Sequence, residues 1–145
     1  MRSVLAFTLM SFVATAWAVD AGEIKTVRGV AHLERGTQRI ALRAGMPVQE
    51  ADKLVTGEDG AVGVTFADNS LLSIGPNSVL VIDRYVFDPT THAGQFDSTL
   101  SKGTLSAVSG KIVKQSPEAM RVRTPSAIMG VRGTEFAVRV DESTR

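Results

Sequence analysis

Apolar residues along this chain come in short runs with a period of two, separated by glycine. Val62, Val64 and Phe66 fall on one side, with Gly63 and Thr65 between them. Phe136, Val138 and Val140 alternate with Glu135, Ala137 and Arg139, and Ile40 and Leu42 alternate with Arg39, Ala41 and Arg43. Successive side chains of an extended strand point to opposite faces, so each run predicts a strand with one buried face. Val79-Leu80-Val81-Ile82 is apolar without a break. That run predicts either an inner strand covered on both faces or a strand at a tight corner.

The punctuation supports the same map. Glu58-Asp59-Gly60 predicts a hairpin turn, with Gly60 supplying positive φ. Asp68-Asn69-Ser70 predicts a polar tip between strands at 62–66 and 71–74. Gly75-Pro76-Asn77 predicts a bend, and Asp88-Pro89-Thr90-Thr91 ends a strand near 85–87. The one helical start signal is Ser116-Pro117-Glu118, an N-cap residue with proline at the first helical position. Alternation resumes at Arg121-Val122-Arg123, so one turn is expected at most. The expected fold class is all-β: a compact β-sandwich or β-roll of many short strands with Gly-rich turns. No fixed repeat period emerges, so a regular solenoid is not indicated.

The first eighteen residues read differently. Arg2 precedes an apolar stretch over 4–14, and Ala16-Trp17-Ala18 offers small residues at both positions of a cleavage site. A stretch of about 11 residues suits the core of a secretory signal, and a bilayer-spanning helix needs about 20. Residues 1–18 are therefore expected to be a cleavable signal peptide, and 19–145 the folded domain. No second apolar run approaches spanning length, so no integral membrane anchor is expected after cleavage. The expected location is periplasmic or secreted.

Composition narrows the chemistry. The 145 residues contain no cysteine and two histidines, His32 and His92. This removes disulfides, thiolate metal sites and cysteine nucleophiles, and it leaves no cofactor or metal implied. Loss of Arg2 with the signal takes the basic count from 16 to 15, equal to the 15 acids. A neutral chain does not call for nucleic acid or another bulk electrostatic ligand. Lys111, Lys114, Arg121, Arg123 and Arg132 form a basic stretch without interleaved aromatics, which reads as a solvated strand face. Arg132 lies between Gly130 and Gly133. It either grips an anion from a glycine-rich turn or locks that turn by donating to carbonyls or a carboxylate. His92 falls in a loop and His32 on the outer face of an early strand. No nucleophile elbow, P-loop or dinucleotide fingerprint is present, and no catalytic residues are indicated.

Three stretches carry a resemblance. They are residues 45–57 (GMPVQEADKLVTG), 62–80 (VGVTFADNSLLSIGPNSVL) and 122–136 (VRTPSAIMGVRGTEF). Together they resemble the FecR-domain family of bacterial envelope proteins, from about Gly29 to Val140. The third stretch carries the family motif at Thr124, Pro125, Gly130, Arg132, Gly133 and Thr134, which the resemblance implies to be structural. The family's namesakes look like inner-membrane regulators of iron signalling, with a cytoplasmic sigma-factor-binding segment, one membrane helix and a periplasmic FecR domain. The leader read at residues 1–18 stands where that cytoplasmic segment would be, so anti-sigma activity is not carried over. The resemblance implies a non-catalytic, exported binding or scaffolding module that contacts an unidentified envelope protein, with a sheet edge as the candidate interface and cell-envelope signalling as the candidate setting. The alternative is a carbohydrate or cell-wall binding protein, which would need exposed aromatics for stacking.

Trp17 is the chain's one tryptophan. Cleavage after Ala18 should leave an exported protein with tyrosine emission alone and an intact mass lacking eighteen residues. Tryptophan emission from the exported form would place the cleavage elsewhere.

Overall fold

The structure, a computed structural model, describes residues 19–141. The expected signal peptide at 1–18 lies outside them. The described residues form twelve strands and one short helix. In order these are β1 (Asp20–Arg28), β2 (Ala31–Arg35), β3 (Gln38–Ala41), β4 (Pro47–Gln49), β5 (Lys53–Thr56) and β6 (Ala61–Phe66). Next come β7 (Leu71–Ile74), β8 (Val79–Phe87), β9 (Gly94–Val108), α1 (Lys111–Gln115), β10 (Met120–Arg123), β11 (Ile128–Gly130) and β12 (Glu135–Val140). The all-β expectation holds.

β9 organises the molecule. Its first half pairs with β8 on one edge and, in parallel, with β10 on the other. Its second half pairs antiparallel with β7 and β12. One sheet therefore runs β3-β2-β5-β8-β9-β10-β11, the other β4-β1-β6-β7-β9-β12, and the two curl together through their shared strand. The handover occurs at Gly103, which has φ +92° and sits so close to Ser78 that a Cβ there would collide with it. Inward-facing residues change parity across this bend. Phe96, Ser98 and Leu100 are buried before it, and Leu105 and Ala107 after it.

The inner faces of both sheets supply the core. Val62, Val64 and Phe66 are at most 3% exposed, as their alternation predicts. Phe66, Tyr85 and Phe96 meet with ring centroids 4.5–5.3 Å apart. The run at 79–82 is not covered on both faces; it opens β8 directly beside the corner at Gly103. Leu80 and Ile82 are buried while Val79 and Val81 stay half-exposed, and the register with β9 shifts after Val79 and again after Ile82.

Next to the aromatic cluster lies a buried polar node. Asp68 is fully buried at the β6–β7 turn. Its carboxyl accepts bonds from Ser70 Oγ (2.7 Å), Tyr85 Oη (3.0 Å), Ser70 N (3.2 Å) and Ile112 N (3.3 Å). Its own N–H donates to Tyr85 Oη at 2.9 Å, and its carbonyl accepts from Lys111 N at 2.8 Å. Gly110 N donates to the buried Ser70 Oγ at 3.1 Å, and a Cβ on Gly110 would collide with Asp68 and Ser70. The expected polar tip is thus an internal joint between the hairpin, β8 and α1. A second joint forms at Asp52, 1% exposed, which takes a two-pronged bond from Arg35 Nε (2.8 Å) and Nη2 (2.7 Å) and one from Gln49 N.

Two local expectations are corrected. The helix precedes Pro117 instead of following it. Residues 111–115 are helical and Ser116 is already extended, because a proline disfavours the helical conformation in the residue before it. Glu58-Asp59-Gly60 does not close a hairpin either. β5 pairs with β2 and β8, while β6 pairs with β1 and β7, so this turn carries the chain from one sheet to the other. Gly60 is needed there for the close approach of Val30 O, 2.6 Å from where its Cβ would stand, and not for positive φ.

Burial, and then the charge of Asp68, push the Tyr85 hydroxyl far above its ordinary pKa. The neutral phenol is favoured in the folded state. Its contribution is complete below the unfolded value of ~10 and is lost as pH climbs above it. Tyr85 is the sole tyrosine, so absorbance near 295 nm reads it alone. Phenolate should appear near pH ~10 in urea and be delayed until the fold gives way in buffer. Tyr85→Phe should destabilise by about 1–3 kcal/mol, since it leaves buried groups of Asp68 unpaired. Overlapping titrations in the two solvents would contradict this account.

Candidate functional site

The family-like motif forms the last hairpin and its exit. At the β10–β11 turn, Thr124 N donates to Ala127 O (2.8 Å) and Ala127 N donates to Thr124 Oγ1 (3.1 Å). Pro125 takes the second position of this turn, where its preset φ fits. Thr124 is half-buried, while Pro125, Ser126 and Ala127 are exposed. Gly130 ends β11 with open space where a Cβ would stand and no positive φ. Gly133 has φ +98°. Its carbonyl accepts from Ser109 Oγ (2.7 Å), and Thr134 O accepts from Ser109 N (2.8 Å).

Arg132 does not lock the turn. Its Nη2 lies 3.6 Å from Glu118 Oε1, with both side chains about four-fifths exposed. A pair so exposed holds little energy, so it cannot lock the turn. The turn is held by Ser109 and by Val131, 3% exposed, whose N–H donates to Met120 O at 3.0 Å. The signal for Val131 is a lone apolar residue in a turn of glycines and charge, and it is weaker than the signal of the neighbouring Arg132.

The other singled-out residues do not converge. Lys111 and Lys114 sit on α1, while Arg121 and Arg123 point outward from β10, so the basic stretch is not one strand face. His32 lies on the outer side of β2, with Nε2 3.2 Å from Glu34 Oε1 and Nδ1 3.3 Å from Arg39 Nη2. The His32 contact is the main cause that lowers the Glu34 pKa, with Lys53 adding to it. His92 stacks on Phe87 in the β8–β9 loop.

What the geometry does bring together is an open side of the sandwich. β7 and β8 follow one another along one edge of β9, through Gly75 bonded to Thr104 and Val79 opposite Lys102. β10 and β12 therefore share its other edge. Among the described residues the two sheets end on this side in β11 and β12. Ile128 of β11 is 63% exposed. The inward residues of β12, Phe136, Val138 and Val140, are only half-buried. Where β9 bends, a cleft of about 870 Å³ separates the β10–β11 turn from the end of β12 at Val138, Arg139, Val140 and Asp141. Among the described residues no helix is long and apolar enough to cross a membrane.

The family profile described as FecR protein matches residues 52–145. The match begins at Asp52, later than the resemblance read from Gly29, and takes in both joints' carboxyl residues, β9 and the closing hairpin. That family is envelope-associated and signalling-related. No curated protein and no solved structure matches the chain.

The motif's glycines should separate by conformation. Gly130→Ala should change stability by no more than about 0.5 kcal/mol, whereas Gly133→Ala should cost about 1 kcal/mol or more. Arg132→Ala should be neutral within about 0.5 kcal/mol, and Val131→Ala should cost about 2 kcal/mol. Urea midpoints of the four variants measure this. A large loss at Arg132 would restore its locking role.

Proposed function

We propose that the chain, which belongs to the FecR protein family, is a non-catalytic exported module that works by protein–protein contact in envelope signalling. The observation that carries this reading is the open side of the sandwich, where two sheets end together with apolar side chains half-covered. A sheet edge offers a row of unpaired backbone groups as well as the flanking side chains, which suits recognition of another polypeptide. On the β11 side the neighbouring outward residues are Arg121 and Arg123, so an extended acidic segment would fit beside Ile128.

The carbohydrate alternative finds less support. Sugars stack on exposed aromatic faces, and Phe66 and Phe96 are sealed in the core with Tyr85 packed against them. Phe87 is already covered by His92.

A photo-crosslinking residue at Ile128 should join the protein to an envelope protein in intact cells, and the same residue at exposed Thr37, in the β2–β3 turn, should not. Equal capture at both positions would remove the edge from the argument. Turnover of a substrate by the pure protein would overturn the reading. So would pelleting with purified peptidoglycan without any protein partner, which would promote the cell-wall alternative.

A further inference from the structure

The unbroken apolar run at 79–82 has the pattern of a strand covered on both faces, and the core covers only its inward members, Leu80 and Ile82. Its outward members belong to a patch. Val79 stands directly opposite Val55 of β5, and Val81 follows along β8. All three valines are half-buried, and Val86, outward on the same strand, is 48% exposed. β5 is paired on both sides, with β2 and β8, and residues 79–81 of β8 are paired with β5 and β9. The three paired valines thus lie on the outer face of inner strands, away from the ends of the sheet.

The charges flanking the patch are unequal. On the β2 side Glu34 lies 3.4 Å from Lys53 and 3.2 Å from His32. On the β9 side the carboxylates have neutral partners: Asp83 accepts from Thr99 Oγ1 and Asp97 from Gln95 Nε2, each at 2.6 Å. Arg84 and Arg121 stand directly opposite Asp97 on its two neighbouring strands, and Arg123 stands opposite Thr99. All three arginines are exposed and have no acidic partner among the described residues.

We propose that an acidic amphipathic helix of a partner protein lies along β8 on this face. Its apolar stripe covers Val55, Val79, Val81 and Val86, and its carboxylates meet Arg84, Arg121 and Arg123. The dimensions suit a helix. With side chains it is about 10 Å wide, and strands are about 4.8 Å apart, so it spans two strands, the width of the patch. Val79 to Val86 is about 20 Å, or about 14 residues of helix. Helices cover sheet faces in this way inside domains. An extended segment over the paired valines would find no backbone groups to bond, because those strands already use theirs. A second copy would set the same arginines against one another. The proposal rests on the protein–protein reading above and adds a second surface and the chemistry of the partner.

The probe is a fluorescein-labelled peptide of 14 residues, with leucines at helical spacing on one face and glutamates on the flanks. Anisotropy with the purified protein reads its binding. The acidic peptide should bind and gain helical circular dichroism. A scrambled peptide of the same composition, and one with lysine for glutamate, should bind at least about tenfold more weakly. Val81→Glu, and separately Arg121→Glu/Arg123→Glu, should each weaken binding at least about tenfold. Arg28→Glu, on the outer face of the other sheet, should leave it unchanged. Circular dichroism checks that each variant keeps the β fold. The chain has no cysteine, so Val81→Cys introduces a single thiol, which should react with a small maleimide in the free protein and be shielded by the acidic peptide. A thiol that fails to react in the free protein would overturn the proposal, because the chain itself then covers the face. So would equal binding of the three peptides, or binding that ignores Val81→Glu. Pelleting with phosphatidylglycerol vesicles in place of peptide binding would overturn it too, and would assign the face to a membrane surface. If the peptide fails while Ile128 still captures an envelope protein, the helix site falls and the function above stands.

Discussion

A carboxyl group buried at the tip of a hairpin is the constraint on which much else rests. A polar group taken out of water must find its bonds inside the protein, and Asp68 finds them on three separate elements. Its partners pin the β6–β7 turn to the phenol of β8 and to the first N–H groups of α1. The placement of α1 follows, and with it the path from the end of β9 to β10. Gly110 lets the chain pass over the node at a distance that no side chain would permit. The aromatic cluster of Phe66, Tyr85 and Phe96 packs against this joint. One polar arrangement thus sets the register in which the apolar layer closes.

The second organising feature is the passage of β9 from sheet to sheet. Strands that switch sheets at a sharp bend make the corners of such sandwiches. Here Gly103 supplies the bend, and Ser78 fills the space beside it. Ser78 Oγ accepts from Thr104 N at 3.0 Å, while its own N–H donates to Thr56 Oγ1 at 2.9 Å. Thr56 Oγ1 in turn donates to Gly75 O at 2.6 Å. Small hydroxyl side chains tie the corner together without bulk.

The alternating runs at 62–66 and 135–140 were legible because each is a strand with one wet face. The continuity of β9 was not, because its inward set switches from even to odd numbers at the bend and so imitates two strands with a glycine between them. Asp68 and Ser70 read as turn residues, which they are, but their burial depends on α1 and β8 folding over them from distant parts of the chain. The turn at 58–60 has hairpin composition, yet which strands pair across it is a tertiary matter. The family-like motif was found by its residues, but of its two glycines only Gly133 has positive φ, a difference that composition does not carry. The part played by Val131 was hidden by a neighbouring charge, and that charge turns out to face water. The place of β12 at a sheet end among the described residues could not be foreseen, because strand order decides it.

The shared strand also bears on the order in which the molecule can assemble. A ribosome delivers the N-terminal residues first. β8 and β7 have their common neighbour only once residues 94–108 have been made. β1 through β8 can form local hairpins before then, but the two half-sandwiches have no strand to join them. Such long-range closure is slow, since distant segments must meet before their contacts repay the lost freedom. Until those residues emerge, the chain therefore remains an open polypeptide whose two halves are held by local pairings alone.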